Sequence, residues 1–369
     1  MFENVFKNKK ILITGNTGFK GSWLSAWLIG LGADVYGISK DIPTSPSMFE
    51  ELSLVEKITH YFEDIRNYQT VKDIIYEVKP DFLFHMAAQP IVVTSYLEPL
   101  DTITTNVIGT ANILEALREV NNQCTAVIIT SDKCYDNVEW VWGYKETDML
   151  GGKDIYSGSK AAAEVIFKSY YHSFFKNTKK SNVRAVTVRA GNVIGGGDWA
   201  DYRIVPDCIK AWIEGRSVEI RSPKATRPWQ HVLEPISGYL TVAQALYKDI
   251  QLNGESFNFG PHAEYSKTVK DLLDDLSAFW DLNQEPSFLS SETSEFHEAG
   301  LLKLNCDKSL FYLKWIPNLN YEKLIEFTST WYHTFYKVEN ANMFDFTLAQ
   351  IKEYEDIARN KEISWTRTI

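Results

Sequence analysis

The sequence predicts an α/β fold, a doubly wound parallel sheet joined to a smaller mixed α/β region. Three observations predict it. Short apolar runs alternate with helix-length segments up to Arg189, the pattern of parallel strands connected through helices. A glycine turn stands at the first strand-to-helix junction. Beyond Arg189 the alternation loosens into the glycine-rich "GNVIGGGDWADYRIVPD", which signals a different architecture.

The elements follow in order. "KILITG" is a short apolar strand, and "FKGSWLSAWLIGLG" has the length and periodicity of a helix closed by Gly32. "DVYGIS" and "HYFEDI" are the second and third strands, the third followed by the helical "NYQTVKDIIYEV". "PDFLFHMAA" is a fourth strand, "TTNVIGTANILEALREV" a helix and "TAVIITS" a fifth strand. A helix is predicted from Tyr156 to Phe174, then the strand "VRAVTVRAG". The second half offers a helix from Pro206 to Glu214, a short strand "SVEIRS", a helix "EPISGYLTVAQALY" and a strand "ESFNFGP". Short helices and loops follow from "KTVKDLLDDLSAFW". The tail from Met343 reads as a polar helix and an end with no pattern. With no repeat and no low-complexity linker, the second region is expected to fold against the first. The predicted division is 1–190 with 232–260 returning to it, then 191–231 with 261–335, then 336–369.

Composition narrows the function classes. The chain has 369 residues, 44% hydrophobic and 23% charged, with a formal net charge of −10, ordinary for a globular protein. No basic block stands out to neutralise phosphates, which argues against a nucleic-acid partner. Cys124, Cys134, Cys208 and Cys306 lack metal-ligand spacing and read as reduced, mostly buried thiols. No metal site is expected. The N-terminus runs into a strand without a signal-peptide core, and no stretch has the length of a membrane span. The expectation is a cytoplasmic protein. The aromatic-rich "FKSYYHSFF" and "FTSTWYHTFY" are expected to pack in a core or a subunit interface.

Gly15, Gly18 and Gly21 are spaced GxxGxxG between the first strand and first helix. Such a turn lets backbone approach a pyrophosphate and aims free helix N–H groups at it. Its position confirms a dinucleotide site, with Thr17, Phe19 and Lys20 in the same turn. The second strand ends at Ser39, Lys40 and Asp41. Asp41 suits the ribose of NAD and Lys40 the 2′-phosphate of NADP, so this junction leaves the choice open. Asp64 and Ile65 are placed to hold adenine, and Ala87, Ala88 and Gln89 to line the cofactor.

Tyr156 and Lys160 stand four residues apart on a predicted helix, so both project from one face. An ammonium and a nicotinamide cation would each favour the phenolate and draw its pKa toward neutrality. The fifth strand ends in Ser131, Asp132 and Lys133, polar groups that belong in a functional cavity rather than a core.

Together these residues resemble the extended, sugar-nucleotide branch of the short-chain dehydrogenase/reductase superfamily, with its Rossmann fold. The likeness runs from the glycine turn to about Pro317. It implies that Ser131 joins Tyr156 and Lys160. In nucleotide-sugar 4,6-dehydratases the residues after that serine are Asp and Glu, the acid and base of water elimination. Here Asp132 is followed by Lys133. The segments "TSDKCYDN", "EWVWGY", "YSGSK", "RAGNVIGGGDW" and "RPWQHVLEP" resemble the CDP-glucose 4,6-dehydratase family, where a lysine takes that place. The resemblance implies bound NAD and CDP-glucose as substrate. It further implies a cytoplasmic homodimer or homotetramer through the helix from Tyr156, serving deoxysugar synthesis for lipopolysaccharide O-antigen.

The resemblance also supplies the substrate side. Asn192 matches a position that touches the phosphates or sugar, and Tyr202 to Pro206, including Arg203 and Val205, flank the base. Glu219 and Arg221 lie on a short strand near it, and Arg227 clamps the diphosphate. His297 and Glu298 stand where relatives place a second phosphate-binding arginine, and Gln89 and Ser131 reach the sugar. Lys133 reads as the base for C5, or as an ion-pair partner of Asp132 or Asp136 that shapes the loop. Trp140 and Trp142 cover the sugar pocket or simply pack. The remaining alternatives are a nucleotide-sugar 4-epimerase, a dehydratase for another nucleotide, and a non-catalytic nucleotide-sugar-binding protein.

Overall fold

A computed structural model describes residues 1–220, 223–262, 267–280, 288–290 and 301–367. Seven strands form one sheet: β1 (Lys10–Thr14), β2 (Asp34–Ser39), β3 (Thr59–Phe62), β4 (Phe82–His85), β5 (Cys124–Ile129), β6 (Val183–Ala190) and β7 (Ser256–Phe259). Their spatial order is β7-β6-β5-β4-β1-β2-β3, and every neighbouring pair is parallel. The chain reverses direction of winding between β1 and β4. In an open α/β sheet that switch point opens a crevice at the strands' carboxyl ends, where ligands bind.

The connecting helices include α1 (Phe19–Gly30), α2 (Tyr68–Val78), α3 (Gly109–Arg118) and α4 (Ile155–Tyr170). Later come α5 (Ile204–Ile213), α6 (Leu233–Lys248), α7 (Val269–Ser277), α8 (Tyr321–Lys337) and α9 (Met343–Asn360). Both faces of the sheet are covered, which is why its strands read as apolar runs rather than alternating ones. Leu12, Leu83, Ala126 and Ile128 pack with Val71 and Ile75 of α2, Leu114 of α3 and Phe167 of α4. Ile11, Phe84, Val127 and Val188 face a larger core that takes Trp23 and Trp27 of α1, Tyr239 of α6 and Trp331 of α8. The predicted helix after β4 opens with a π turn, Thr104–Ile108, which joins the α-helical Pro99–Ile103 to α3.

One buried ion pair joins α4 to the sheet. Arg189 on β6 donates from Nε and Nη2 to the two carboxylate oxygens of Glu164 on α4, each at 2.9 Å. Neither side chain has any exposure. The same carboxylate accepts from Thr130 Oγ1 at 2.6 Å and Thr187 Oγ1 at 2.8 Å. Arg189 Nη1 donates to the Tyr135 hydroxyl at 2.7 Å, which donates to Asn258 Oδ1 on β7 at 2.8 Å. Burial would raise the Glu164 carboxyl, but Arg189 and the two hydroxyls outweigh it and hold it below the ordinary range.

The tail departs from expectation. α9 is amphipathic rather than polar throughout, burying Met343, Ile351, Tyr354 and Ala358. Its uninterpreted end carries Trp365, which stacks on Phe2 at 5.1 Å and on Tyr354 at 5.8 Å. α9 is anchored through Glu234 of α6, whose carboxylate accepts from Asn318 N (2.9 Å), Leu319 N (2.6 Å) and the Tyr354 hydroxyl (2.9 Å). The aromatic segment "FTSTWYHTFY" buries Phe327, Trp331 and Tyr332 in the core, and all four cysteines are free thiols, three of them buried.

Glu164→Gln leaves Arg189 buried without a counter-charge and is expected to cost about 3–5 kcal/mol in urea unfolding. The pair Glu164→Gln with Arg189→Met should cost less than the sum of the single changes, since no charge is then stranded. Glu234→Ala deprives two backbone N–H groups and a phenol of their acceptor. It is expected to lower stability by about 2–4 kcal/mol, read as an earlier unfolding midpoint accompanied by a change in tryptophan emission.

Candidate active site

β1 ends at the switch point, and the chain turns there through Gly15 at φ +77°. A Cβ on Gly15 would lie 2.7 Å from the Ala87 nitrogen after β4. A Cβ on Gly21 would fall 2.1 Å from the Gly15 carbonyl, so a side chain there would push α1 off the turn. Gly18 is the N-cap of α1 and no side chain caps the helix. Its first N–H groups and partial positive charge are free for an anion.

The turn is held from below. Ser39 Oγ donates to Asn16 Oδ1 (2.9 Å) and accepts from Thr17 N (3.3 Å), while Thr17 Oγ1 donates to the Asp41 carbonyl (2.8 Å). The Ser39 hydroxyl is thus used inside the turn, whereas the Asp41 carboxylate is exposed at 3.8 Å from Lys40. Asp64 is bound by Arg66, and Ile65 is buried against Gly109. Ala87 and Met86 donate backbone N–H to Thr14 Oγ1, each at 3.2 Å, beneath the turn. Gln89 Nε2 donates to Thr102 Oγ1 at 2.7 Å and its Oε1 accepts from Ile91 N at 2.5 Å. Its side chain is therefore occupied, and Gln89 lies outside the cavity that its neighbours Pro90 to Val93 line.

β5 delivers Ser131, Asp132 and Lys133 at its carboxyl end, the last two in a 3-10 turn. Ser131 Oγ donates to Asp132 Oδ1 (3.0 Å) and accepts from Lys133 N (3.2 Å). Backbone comes close on the other side, since a Cβ at Gly191 would meet Asp132 Oδ2 at 2.7 Å. Tyr156 and Lys160 are buried on the first turns of α4. Asp154 starts that helix, its carboxylate accepting from Ser157 N (2.9 Å) and Oγ (2.7 Å). Asn106 braces it through Nδ2 to Ser159 Oγ at 2.9 Å.

Burial sets the electrostatics. It pushes the Tyr156 phenol up to about 12, opposed by a hydrogen bond with Ser131. It lowers Lys160 to about 7, and the charge of Lys20 adds to the effect. It raises Asp132, against the charge of Lys133 and the Ser131 hydrogen bond, so this carboxyl holds a proton more firmly than a free one. Lys133 forms an ion pair with neither Asp132 nor Asp136 among the described residues. The loop-shaping pair anticipated as its alternative role is not formed.

A cavity of about 520 Å³ gathers these groups, large enough for a nucleotide-sized ligand. Ser131, Asp132, Lys133 and Tyr156 line one end, with Phe19 and Lys20. Asn192, Arg203, Val205 and Arg227 continue it into the second region. Val205 is buried and packs, while Arg203 Nη1 donates to Asp198 Oδ2 at 2.8 Å. Arg227 sits on a two-residue strand, Thr226–Arg227, antiparallel to Lys267–Thr268. Asp198 and Trp229 also line the cavity and were not singled out from sequence, although "GGGDW" and "RPWQHV" contain them. Trp140 and Trp142 lie outside it; Trp142 is 68% exposed, while Asn137 and Glu139 of that segment do line it. The backbone of Glu219 forms the strand Val218–Ile220 beside Phe288–Ser290; its side chain, Arg221 and His297 lie outside the described residues. His231 is a core residue between the rings of Trp23 and Phe327, held neutral by burial. No group of metal-ligating side chains occurs among the described residues.

The chain is similar to known proteins along most of its length. Residues 12–328 match the family model described as GDP-mannose 4,6 dehydratase. The chain is 46% identical over 317 residues to the CDP-glucose 4,6-dehydratase of Salmonella typhimurium, covering 85% of this chain and 88% of that one. It is 26% identical to the dTDP-glucose 4,6-dehydratase of Shigella flexneri, over 88% of this chain and 92% of that one. Among solved structures, the UDP-glucuronic acid 4-epimerase of Bacillus cereus, in complex with UDP-glucuronic acid and NAD, superposes with a TM-score of 0.76 at 21% identity. That match covers 88% of this chain and 99% of the epimerase, and is a likeness of fold. With its glycine turn, its Tyr156/Lys160 helix and a matched span reaching from β1 into α8, the chain belongs to the GDP-mannose 4,6 dehydratase family.

Proposed function

We propose that this protein is an NAD-dependent CDP-glucose 4,6-dehydratase, converting CDP-glucose to CDP-4-dehydro-6-deoxyglucose and water. One observation carries the reading: Ser131, Asp132 and Lys133 line the same cavity as Tyr156. The 46% identical relative of that name supports the cytidine substrate. The residues fit the cofactor, because Gly15 and Gly21 leave a cradle that any Cβ would fill and the start of α1 is uncapped. The Lys160 ammonium, buried and without a hydrogen bond to a described residue, awaits a ligand hydroxyl there. Bound NAD would accept hydride from C4 of the hexose and return it to C6, so no net oxidation results.

The chain's own groups handle the protons. Tyr156, bridged to Ser131, takes the 4-hydroxyl proton, and Lys160 favours the phenolate that does so. The 4-ketone acidifies C5–H, which lets a lysine amine serve as base; Lys133 takes that proton. Asp132, whose carboxyl burial raises, gives its proton to the 6-hydroxyl as it leaves. Arg227 suits the diphosphate, Arg203 and Val205 flank the base, and Asn192 touches the phosphates or sugar. Residues 1–190 and 232–260 would hold NAD, residues 191–231 and 261–335 the nucleotide sugar, and 336–369 would close the core.

The exposed apolar side chains of Val165 on α4 and Phe174 just beyond it support a homodimer through the helix from Tyr156, or a tetramer built from such pairs. No helix among the described residues is long and apolar enough to cross a membrane, in keeping with a cytoplasmic enzyme supplying deoxysugar for lipopolysaccharide O-antigen. A 4-epimerase would share the glycine turn, Ser131, Tyr156 and Lys160 but has no use for Asp132 and Lys133.

Incubation with a panel of glucose nucleotides should give a product lighter by one water from CDP-glucose, and NAD should be released on denaturation. A product of unchanged mass would favour epimerisation instead. Tyr156→Phe is expected to lower turnover by about 10³-fold through loss of C4 oxidation. Lys133→Ala should reduce water loss by about 10²-fold and slow solvent deuterium entry at C5 to match. Parental rates in Lys133→Ala would remove it as the base.

A further inference from the structure

Lys20 is the second residue of α1, where the glycine turn requires backbone but no cationic side chain. It lines the cavity with Ser131, Asp132, Tyr156 and Arg203, and none of Gly15, Gly18 or Gly21 does so. The charges acting on its ammonium are those of Arg203, Asp132 and Asp198, and it acts in turn on Lys160. All but Lys160 line the substrate cavity. Burial is the main cause that lowers Lys20, to about 8, which still leaves it charged at neutral pH. Its ammonium makes no hydrogen bond or ion pair with any described residue. Lys20 is half-buried, and a charge partly drawn from water gains most from a hydrogen-bond partner, so the arrangement suits a partner brought by the ligand. Of the carboxylates acting on it, Asp132 has the largest effect, and the Asp132 carboxyl feels Lys20 in turn.

We propose that Lys20 is a further catalytic residue of the elimination, its ammonium hydrogen-bonded to the hexose 6-hydroxyl beside Asp132. The inference rests on the 4,6-dehydratase reading and deepens it. The C5–H proton passes to the Lys133 amine, and its electron pair is held as the enolate of the 4-ketone until it forms the C5–C6 double bond. The C6–O bond breaks and the oxygen takes the Asp132 proton, leaving as water. Asp132 is then a buried carboxylate, and Lys20 adds its charge to that of Lys133 beside it. A preplaced charge of this kind acts where charge develops and so lowers the barrier to water loss rather than strengthening ground-state binding.

Lys20→Met and Lys20→Arg holoenzymes in deuterium oxide test this with CDP-glucose. Lys20→Met should release the parental amount of NAD on denaturation. It should return CDP-glucose carrying deuterium at C5, because C4 oxidation and C5 deprotonation persist. Water loss should fall by about 10²-fold, and Lys20→Arg should recover part of it. Loss of NAD in proportion to activity would make Lys20 a cofactor anchor instead. Parental water loss in Lys20→Met would make it idle. Should Lys20→Met not fold, Lys20→Arg decides: parental C5 exchange with slowed water loss supports the role, and equal slowing of both overturns it. A parental protein that forms no 4-dehydro-6-deoxy product would sink the dehydratase reading itself.

Discussion

The Glu164–Arg189 pair is the constraint on which the site depends. Two full charges with no exposure are tolerable because four of the five guanidinium N–H donors and both carboxylate oxygens are hydrogen-bonded. The partners are informative. Thr130 immediately precedes the polar trio, and Tyr135 lies two residues after it. Glu164 lies one helical turn beyond Lys160. A single ion pair therefore fixes both flanks of Ser131–Lys133 and the helix that faces them. Groups that must meet across a hexose are set by strands and a helix rather than by a free loop, which is the condition for preorganised catalysis.

Around this frame burial shifts the titratable groups of the site. Lys160 is lowered to about 7 and Lys20 to about 8, while the Asp132 carboxyl is raised. Burial moves bases and acid toward each other's range, the usual route by which one pocket does acid and base chemistry near neutrality. Tyr156 runs the other way: burial drives the phenol up to about 12. The sequence argument had a cation drawing it down, and the protein without ligands does not do so. A nicotinamide's positive charge is the missing contribution.

Much of the fold was legible because it is local. Strand and helix periods, the glycine turn and the i, i+4 spacing of Tyr156 and Lys160 are properties of short segments. What escaped was assembled from distant ones. Glu164 read as an unremarked helix residue and Arg189 as the end of a strand. Asp198 looked like part of an irregular loop until Arg203 was found against it. Ser39 and Gln89 were read as ligand contacts because they follow strands in the right places, yet their side chains are spent on Asn16 and Thr102. Position along the chain locates a residue near a site; whether its side chain is free depends on partners that no local pattern reveals.

The stacking of Trp365 between Phe2 and Tyr354, with Glu3 N donating to the Arg367 carbonyl at 3.1 Å, has a bearing on synthesis. A protein is made from its amino end, so Phe2 leaves the ribosome long before its aromatic partner. The larger core cannot be sealed on the nascent chain, and an apolar patch around Trp27 stays open to chaperones until the final turn has emerged.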